Sequence, residues 1–576
     1  LISTFCIAQA TRTTGISGTP RTINFSDPSI PDYDVHLVSL DQHPIPSAEY
    51  ARLKEELNTK RNEFHSSPSP AAKKSRGIAP NPQVFKGAQG NVSNGVPNDN
   101  DIAVSDSGLV VSVVNSNMRV YDDTLKTLYN KSLTSLFASI GTYTWISDPR
   151  IIYDPAADRF ILICFSGNVS YESIILVGFT QTNDPTGNWN FYTLNGNSFN
   201  DSTWSDYPII AISDKDLFIT FNQVKDNVSW TVGFKQSVIW QIDKQSGYNG
   251  VALPFHLWSD IKYNGTNLRN ICPAKYQGAA MGNNMYFLTL RNVAATNDSI
   301  FVTEITNSQS SGTATLQQKL LISPTAYGFP PNAKQKYYSS SGQQYLMTND
   351  ARVLAAIYEN DRIHFGSNTI NPAYMNAAVY LGEIQNISGA TPVVKADIFS
   401  SDSVEYGYPS MAWMGNNSSE HKVLYTFSHC FVDSFPGTSV LYKDNNGNYS
   451  DIVRVKNGLS YINVLTDSTE RWGDYTNIQK KYNTSNRAYL SGSWGKSSGM
   501  NCWVSMIDNP DYTVAVPETE QVAEAIMYPV PASDQVSIRF HMPLSQKVRF
   551  EIQDMNGRIV QLLLDTYTRA GENEFS

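Results

Sequence analysis

Residues 148–194 constrain the fold of this chain more than any other stretch. They read DPRIIYDPAADRFILICFSG, then ESIILVGFT, then WNFYTL: four short apolar, β-rich runs with a turn signal in each gap. The pattern predicts one four-stranded antiparallel sheet. Its opening phrase is an acidic residue before a short strand, a turn and a longer apolar strand. This phrase recurs with variations along most of the chain, which predicts an architecture built from copies of one unit.

Seven such phrases start at Asp101, Asp148, Asp206, Lys275, Asp350, Tyr406 and Asp474, between 47 and 75 residues apart. Compact propeller blades take ~40 to 50 residues, so the spacing leaves room for loop insertions. Radial packing of such blades buries both faces of each sheet, which explains why FILICF is continuously apolar instead of alternating. The last unit has only three strand runs, YTNIQKKYN, RAYLSGSWG and NCWVSMID, and would leave an edge open. Residues 83–88, QVFKGA, are expected to supply its fourth strand. The expected fold is all-β: a seven-bladed β-propeller over residues 83–508 followed by a small β-sandwich-like C-terminal domain.

Composition narrows the setting. Of 576 residues, 41% are hydrophobic and only 16% charged, with 32 Tyr, 25 Phe and 10 Trp, which fits an extracellular all-β protein. A net charge of -9 argues against nucleic acid as a partner. No stretch approaches the ~20 apolar residues of a membrane helix.

Residues 1–10, LISTFCIAQA, read as a signal-peptide remnant ending in the cleavage pattern Ala8-Gln9-Ala10. A lipoprotein reading of Cys6 is weakened by Phe5, where Gly or Ala is wanted. Residues 11–82 form the least regular part. Within them, 47–64 is expected to be a helix capped by Ser47, followed by the linker SSPSPAAKKSRG. Lys73, Lys74 and Arg76 read as a solvated tether, with a basic contact patch as the alternative. Cys164, Cys272, Cys430 and Cys502 have no metal-site spacing; one or two bridges remain open, while Cys164, within an apolar strand, reads as a buried thiol.

After a connector at 509–526, residues 527–576 carry the strand runs VSIRFHMP, KVRFEIQDMNG and IVQLLLD, with Asn556-Gly557 as a hairpin turn. Tyr528-Pro529, Pro531-Ala532 and Val536, the phrase VRFEIQDMNGR, and the late turn Ala570-Gly571-Glu572-Asn573 follow one another in order. In these motifs the tail closely resembles the C-terminal sorting domain of the type IX (Por) secretion system of Bacteroidetes, although Val530 stands where that family usually has Asn. The resemblance implies Sec export, recognition by the type IX machinery as partner, and a secreted or cell-surface destination. The family's final strands would lie beyond Ser576, and the chain starts without an initiator Met, so the sequence reads as a piece of a longer protein.

First strands of a propeller begin at one common face, so Asp148, Asp206, Asp350 and Asp474 should converge on a channel mouth. An acidic ring there would hold a hard cation such as Ca2+ or bind polyhydroxylated ligands; alternatively each Asp simply caps a turn. Arg150 and Arg352 occupy equal places in DPR and DAR, and Arg471 precedes Trp472. Three such arginines resemble the carboxylate grip of sialidases. TNDPTGNW at 182–189 is similar to the sialidase Asp-box, but its Gly187 is displaced by one position, and the expected role is a turn staple. Glu172, Glu304, Glu359 and Glu405 are acid/base candidates by type alone. Trp204, Trp258, Trp413, Trp472 and Trp494 read either as sugar-stacking platforms or as packing between blades. The function expected is an exported propeller that binds an extracellular glycan or protein through Asp148, Arg150, Asp206, Asp350, Arg352 and Asp474. The alternative is a sialidase-like or other glycan-cleaving hydrolase on the same scaffold.

Overall fold

The computed structural model describes residues 9–33, 47–66, 77–510 and 526–576, apart from breaks at 94, 144–145, 279–280, 337–344, 432, 466–468, 485, 498, 531–532, 543–545, 554–558 and 570. The start of the signal-peptide remnant with Cys6, the basic residues Lys73, Lys74 and Arg76, most of the 509–526 connector and the Asn556-Gly557 turn lie outside the described residues. The chain divides into two compact units, Leu1–Asp511 and Tyr512–Ser576.

The large unit is all-β, as expected. Seven antiparallel meanders follow one another, with first strands Asp101–Val104, Ile146–Asp154, Thr203–Ile212, Cys272–Tyr276, Val353–Glu359, Glu405–Trp413 and Asn477–Lys480. Each first strand packs against the next, and Asn477–Lys480 packs against Asp101–Val104. Their residues are buried almost throughout because each sheet has neighbours on both faces, which removes the need for alternation. The seventh meander takes its fourth strand from Gln83–Val92, which pairs antiparallel with Gly499–Asp508. That is the pairing QVFKGA predicts.

Three features differ from the sequence-based expectation. The meanders do not remain seven separate sheets. Ala274 to Tyr276 pair in parallel with Ala356 to Tyr358 and join the fourth and fifth into one eight-stranded sheet. The N-terminal segment is more regular than its composition suggests, since Gln9–Ile16 and Arg21–Asn24 add outer strands to the third and second meanders. Both cover sheet edges that would otherwise present unpaired backbone. The four described cysteines are all unpaired buried thiols, held on the second, fourth, sixth and seventh meanders.

The helix α1, Ala48–Ser66, starts where predicted: the Tyr50 N–H donates to Ser47 Oγ at 3.2 Å, the expected N-cap. In the small unit, Ile526–Tyr528, Ser537–Met542 and Gly571–Phe575 form one sheet, and Gln546–Gln553 pairs with Ile559–Thr568. Phe540 and Phe550 meet edge-on at 5.0 Å between them.

Candidate functional site

A repeated backbone device positions the candidate site. Each meander has one residue at positive φ within or just before its first strand: Asp148 (49°), Tyr207 (58°) and Tyr408 (57°) inside it, and Asp99 (52°), Asn270 (54°), Asn349 (49°) and Gly473 (127°) two to four residues ahead of it. Six of the seven are not glycine, and each of those costs roughly 1–2 kcal/mol against an ordinary conformation. Pro149, Pro208 and Pro409 follow three of them and cannot donate a ladder hydrogen bond. The strand register shifts at those three points. The kink takes these residues out of the sheet ladder and gathers their side chains at one end of the first strands.

Acidic oxygens of Asp99, Asp148 and Asp474 come together there, with one oxygen from each lying within 4.8 Å of the others. Asp474 accepts from Arg471 Nη2 at 2.6 Å and from Asn349 Nδ2, and its backbone N–H donates to Asp99 Oδ1 at 2.8 Å. Asn115 bridges two of the three: its Nδ2 donates to Asp99 Oδ2 at 2.6 Å, and its Oδ1 accepts the Asp148 N–H at 2.8 Å. Arg471 is the one guanidinium bonded to any carboxylate of this trio among the described residues.

The pKa shifts follow from that shortage of positive charge. Burial, followed by repulsion from Asp99, Asp206 and Asp474, pushes the Asp148 carboxyl well above the carboxylate range. Burial and Asp474 push Asp99 up to about 7 and Asp206 up to about 6. Asp474 goes the other way: against its burial, Arg471 and Arg352 hold it below its ordinary value.

The remaining sequence-predicted residues lie around this trio. Arg352 forms a fork on Asp350, Nε to Oδ1 at 2.7 Å and Nη2 to Oδ2 at 3.1 Å. Arg150 donates through Nε to Pro208 O at 2.8 Å, and its guanidinium lies 3.1 Å over the Tyr475 ring and 4.0 Å from Asp101. Arg150 and Arg352 are not register equivalents, because one lies two residues and the other three residues past its left-handed residue. They nevertheless share the Tyr207 ring, at 5.8 and 4.6 Å. Asp99, Asn115, Tyr207 and Tyr475 are the members that sequence reasoning missed. A turn-forming acid two residues before the first strand was the available signal for Asp99, and no local signal marks the other three.

Other candidates lie elsewhere. Glu405 binds Arg61, Glu359 sits between His364 and His421, and Glu304 accepts from Asn284 and Gln317. Glu172 is half-buried at a turn of the second meander. Trp258, Trp413, Trp472 and Trp494 are buried in packing and Trp204 lies against Phe165, so none is an open platform. At 182–189 the fold contains the expected staple: Trp189 is buried and its Nε1 donates to Pro185 O at 2.8 Å.

Residues 526–575 match the secretion system C-terminal sorting domain. The chain therefore carries an export signal read by the type IX machinery and is a secreted or cell-surface protein. No described helix is long and apolar enough to cross a membrane. A search of curated proteins finds no match. Among solved structures, the chain is similar to an alpha-L-arabinanase of Penicillium chrysogenum complexed with arabinobiose, at 8% identity and TM-score 0.33, covering 74% of this chain and 99% of that one. A subtype N10 neuraminidase-like protein of A/little yellow-shouldered bat/Guatemala/060/2010 aligns at 10% identity and TM-score 0.31, over 60% of this chain and 96% of that one. A chain of a mitotic checkpoint complex aligns at 10% identity and TM-score 0.36, over 76% and 96%.

Proposed function

We propose that this is an exported seven-bladed β-propeller, with Gln83–Val92 as the strand that closes the ring, and that its acidic mouth binds an extracellular glycan or protein. The observation that carries this reading is the Asp99, Asp148 and Asp474 trio with a single bonded guanidinium. Carboxylates packed that closely out of water need a proton, a cation or a hydrogen-bond-donating ligand between them. A Ca2+ ion suits the donors, because it takes oxygen ligands at 2.3–2.6 Å and tolerates irregular geometry. Ligand hydroxyls or amines would meet the same acceptors. The test is a glycan array and a calcium titration of the full chain beside Asp148→Asn and Asp474→Asn. Binding that both substitutions abolish supports the mouth, and binding that ignores both removes it from consideration.

One observation favours glycan cleavage as a second reading. Neighbouring carboxyls whose pKa values are driven apart, Asp148 upward and Asp474 downward, are what an acid and an ionised partner require. Against it, Arg352 and Arg471 are each already held by a carboxylate of this chain. Turnover of fluorogenic glycosides that Asp148→Asn eliminates would establish the hydrolase; a flat response across such substrates would eliminate it.

A further inference from the structure

A second polar concavity lies between the third and fourth meanders. It encloses about 520 Å³, within the ~300–1,000 Å³ of small-molecule sites. Its lining comes from Phe234 and Lys235 of the third meander, from 266–269, and from 289–294 with Asn297 of the fourth. No Asp or Glu lines it, and its cations are Lys235, Arg269 and Arg291. Lys235 is paired with Asp201. Arg269 donates through Nη2 to Trp230 O at 2.7 Å and through Nη1 to Thr231 O at 3.3 Å, and its guanidinium lies 4.5 Å over Phe234. Those carbonyls orient the charge without neutralising it, and each Nη carries a second N–H. Burial pushes Arg269 down to about 10, so it is still protonated at pH 7. Arg291 lies 4.4 Å over Phe301, and among the described residues its guanidinium has neither a hydrogen-bond acceptor nor an ion pair. Asp298, next to the lining Asn297, is exposed and forms no ion pair with it.

The rest of the lining is amide and hydroxyl. Asn267 Nδ2 donates to Lys235 O at 2.7 Å, and Asn292 Nδ2 donates to Asn270 Oδ1 at 2.5 Å. Asn267 Oδ1, Asn292 Oδ1, Thr289 Oγ1 and Arg269 Nε are buried atoms without a partner among the described residues. Buried polar atoms in folded proteins are nearly all paired, so several unmet ones around one cavity set this wall apart from ordinary packing. Two guanidiniums with no lining acid call for an anion, which a guanidinium fork grips bidentately. Amides and hydroxyls beside them suit ligand hydroxyls, and Phe234, Leu268 and Leu290 suit the apolar face of a ring. We propose that this cavity is a second ligand site and takes a sugar acid, with its carboxylate on Arg269 and Arg291 and its hydroxyls on Asn267, Asn297 and Thr289. The site does not rest on the acidic mouth binding anything. The Trp230 ring stands 5.4 Å from the Arg269 guanidinium and 5.2 Å from that of Arg352, so cavity and mouth are neighbours of opposite charge. An anion that the carboxyls of the mouth repel meets two guanidiniums beside it.

Isothermal titration of the full chain with glucuronate, digalacturonate and N-acetylneuraminic acid tests it, with their methyl esters as uncharged counterparts and sodium sulfate as a simple anion. At least one of the acids should bind, at least tenfold more tightly than its ester and than sulfate. Arg291→Gln should weaken that binding at least tenfold, and because Arg291 has no bonded partner to strand, circular dichroism should show this variant folded. Arg291→Lys keeps the charge and loses the fork; its affinity should fall between the two, and it replaces Arg291→Gln should that one unfold. Failure of all three acids to bind, equal binding of acid and ester, sulfate binding as tight as the acids, or affinity unchanged in the Arg291 variants overturns the inference. Asp148→Asn separates this site from the mouth. Binding kept in Asp148→Asn and lost in Arg291→Gln supports the cavity. The reverse pattern gives the sugar acid to the mouth, which removes the cavity and leaves the proposed function standing.

Discussion

Two charged clusters of the large unit solve the same problem in opposite ways. Glu383, on the fifth meander, is buried but accepts from Lys443 Nζ at 2.6 Å, Gln385 Nε2 at 2.6 Å and Arg362 Nη1 at 2.5 Å. Against the cost of its burial, His364 and Lys443 hold its pKa far below the carboxylate range. In the acidic trio, only Asp474 is bonded to a guanidinium, that of Arg471, and the other two carboxyls are driven upward. A carboxylate with several donors is a staple that needs nothing more. A carboxylate trio short of donors retains an unmet electrostatic demand, and that demand marks the mouth as a candidate site whereas Glu383 is structure.

The sharpest way to break this comparison is Glu383→Gln. It leaves Lys443 and Arg362 next to a neutral amide in a largely buried position, and removing one partner of a buried network costs about 3 kcal/mol. Urea unfolding of the large unit should show that loss. A change below ~1 kcal/mol, the range of an exposed pair, would mean that the cluster is no staple.

The pH dependence comes next. Asp99 and Asp206 have folded pKa values of about 7 and about 6, above the unfolded ~3.9. Between pH 4.5 and 7 the folded state therefore binds more protons than the unfolded one, and stability falls as pH rises through that window. Glu383 and Asp474 have depressed values, so their contribution is complete above about pH 4.5 and disappears only below it. The decline from the two acids runs against buried His429, whose pKa burial lowers to about 3 and which favours the folded state as pH rises over the same window, so the acids' share is read as the difference between the thermal melts of the wild-type chain and Asp99→Asn. Asp99→Asn should flatten the decline, and a slope that this variant leaves unchanged would place its origin outside the mouth.

Much of this was readable from the chain and some was not, for identifiable reasons. The meanders were visible because strand, turn and apolar strand are local signals, and the incomplete seventh set called for QVFKGA by edge logic alone. Asp148, Asp206, Asp350 and Asp474 were singled out because they stand at the phrase starts, and two of them, Asp148 and Asp474, lie in the acidic trio. Asp99 was not, because NDND at 98–101 offers two acids and only the backbone shows which one takes the left-handed position. The apparent equivalence of Arg150 and Arg352 failed because DPR and DAR match in letters while their kinks fall one residue apart. The packing of α1 was invisible for another reason: its buried stripe is Tyr50, Lys54, Asn58 and Arg61, and hydrophobic periodicity cannot register a polar stripe. The parallel pairing of Ala274 to Tyr276 with Ala356 to Tyr358 joins segments about eighty residues apart, which no local pattern encodes.

The smallest expected effect sharpens the comparison most. Asp148→Asn keeps the shape of the side chain and removes a charge that burial and three neighbouring acids disfavour. At pH 7.5 the substitution should therefore be neutral or stabilising by up to ~1 kcal/mol, the reverse of the Glu383→Gln loss. The sign follows from linkage: a group whose folded pKa lies above its unfolded value costs stability once the pH exceeds the unfolded value, and the amide never incurs that cost. Calcium supplies the complementary measurement. A cation held by Asp99, Asp148 and Asp474 would raise the melting temperature of the wild-type chain at pH 7.5, by about 2.7 kcal/mol of stability at a hundredfold excess over Kd. It would do nothing for Asp148→Asn. A calcium shift of equal size in both chains would assign the ion to another place, and the mouth would then stand as a proton-sharing cluster whose unmet demand is answered by protons alone.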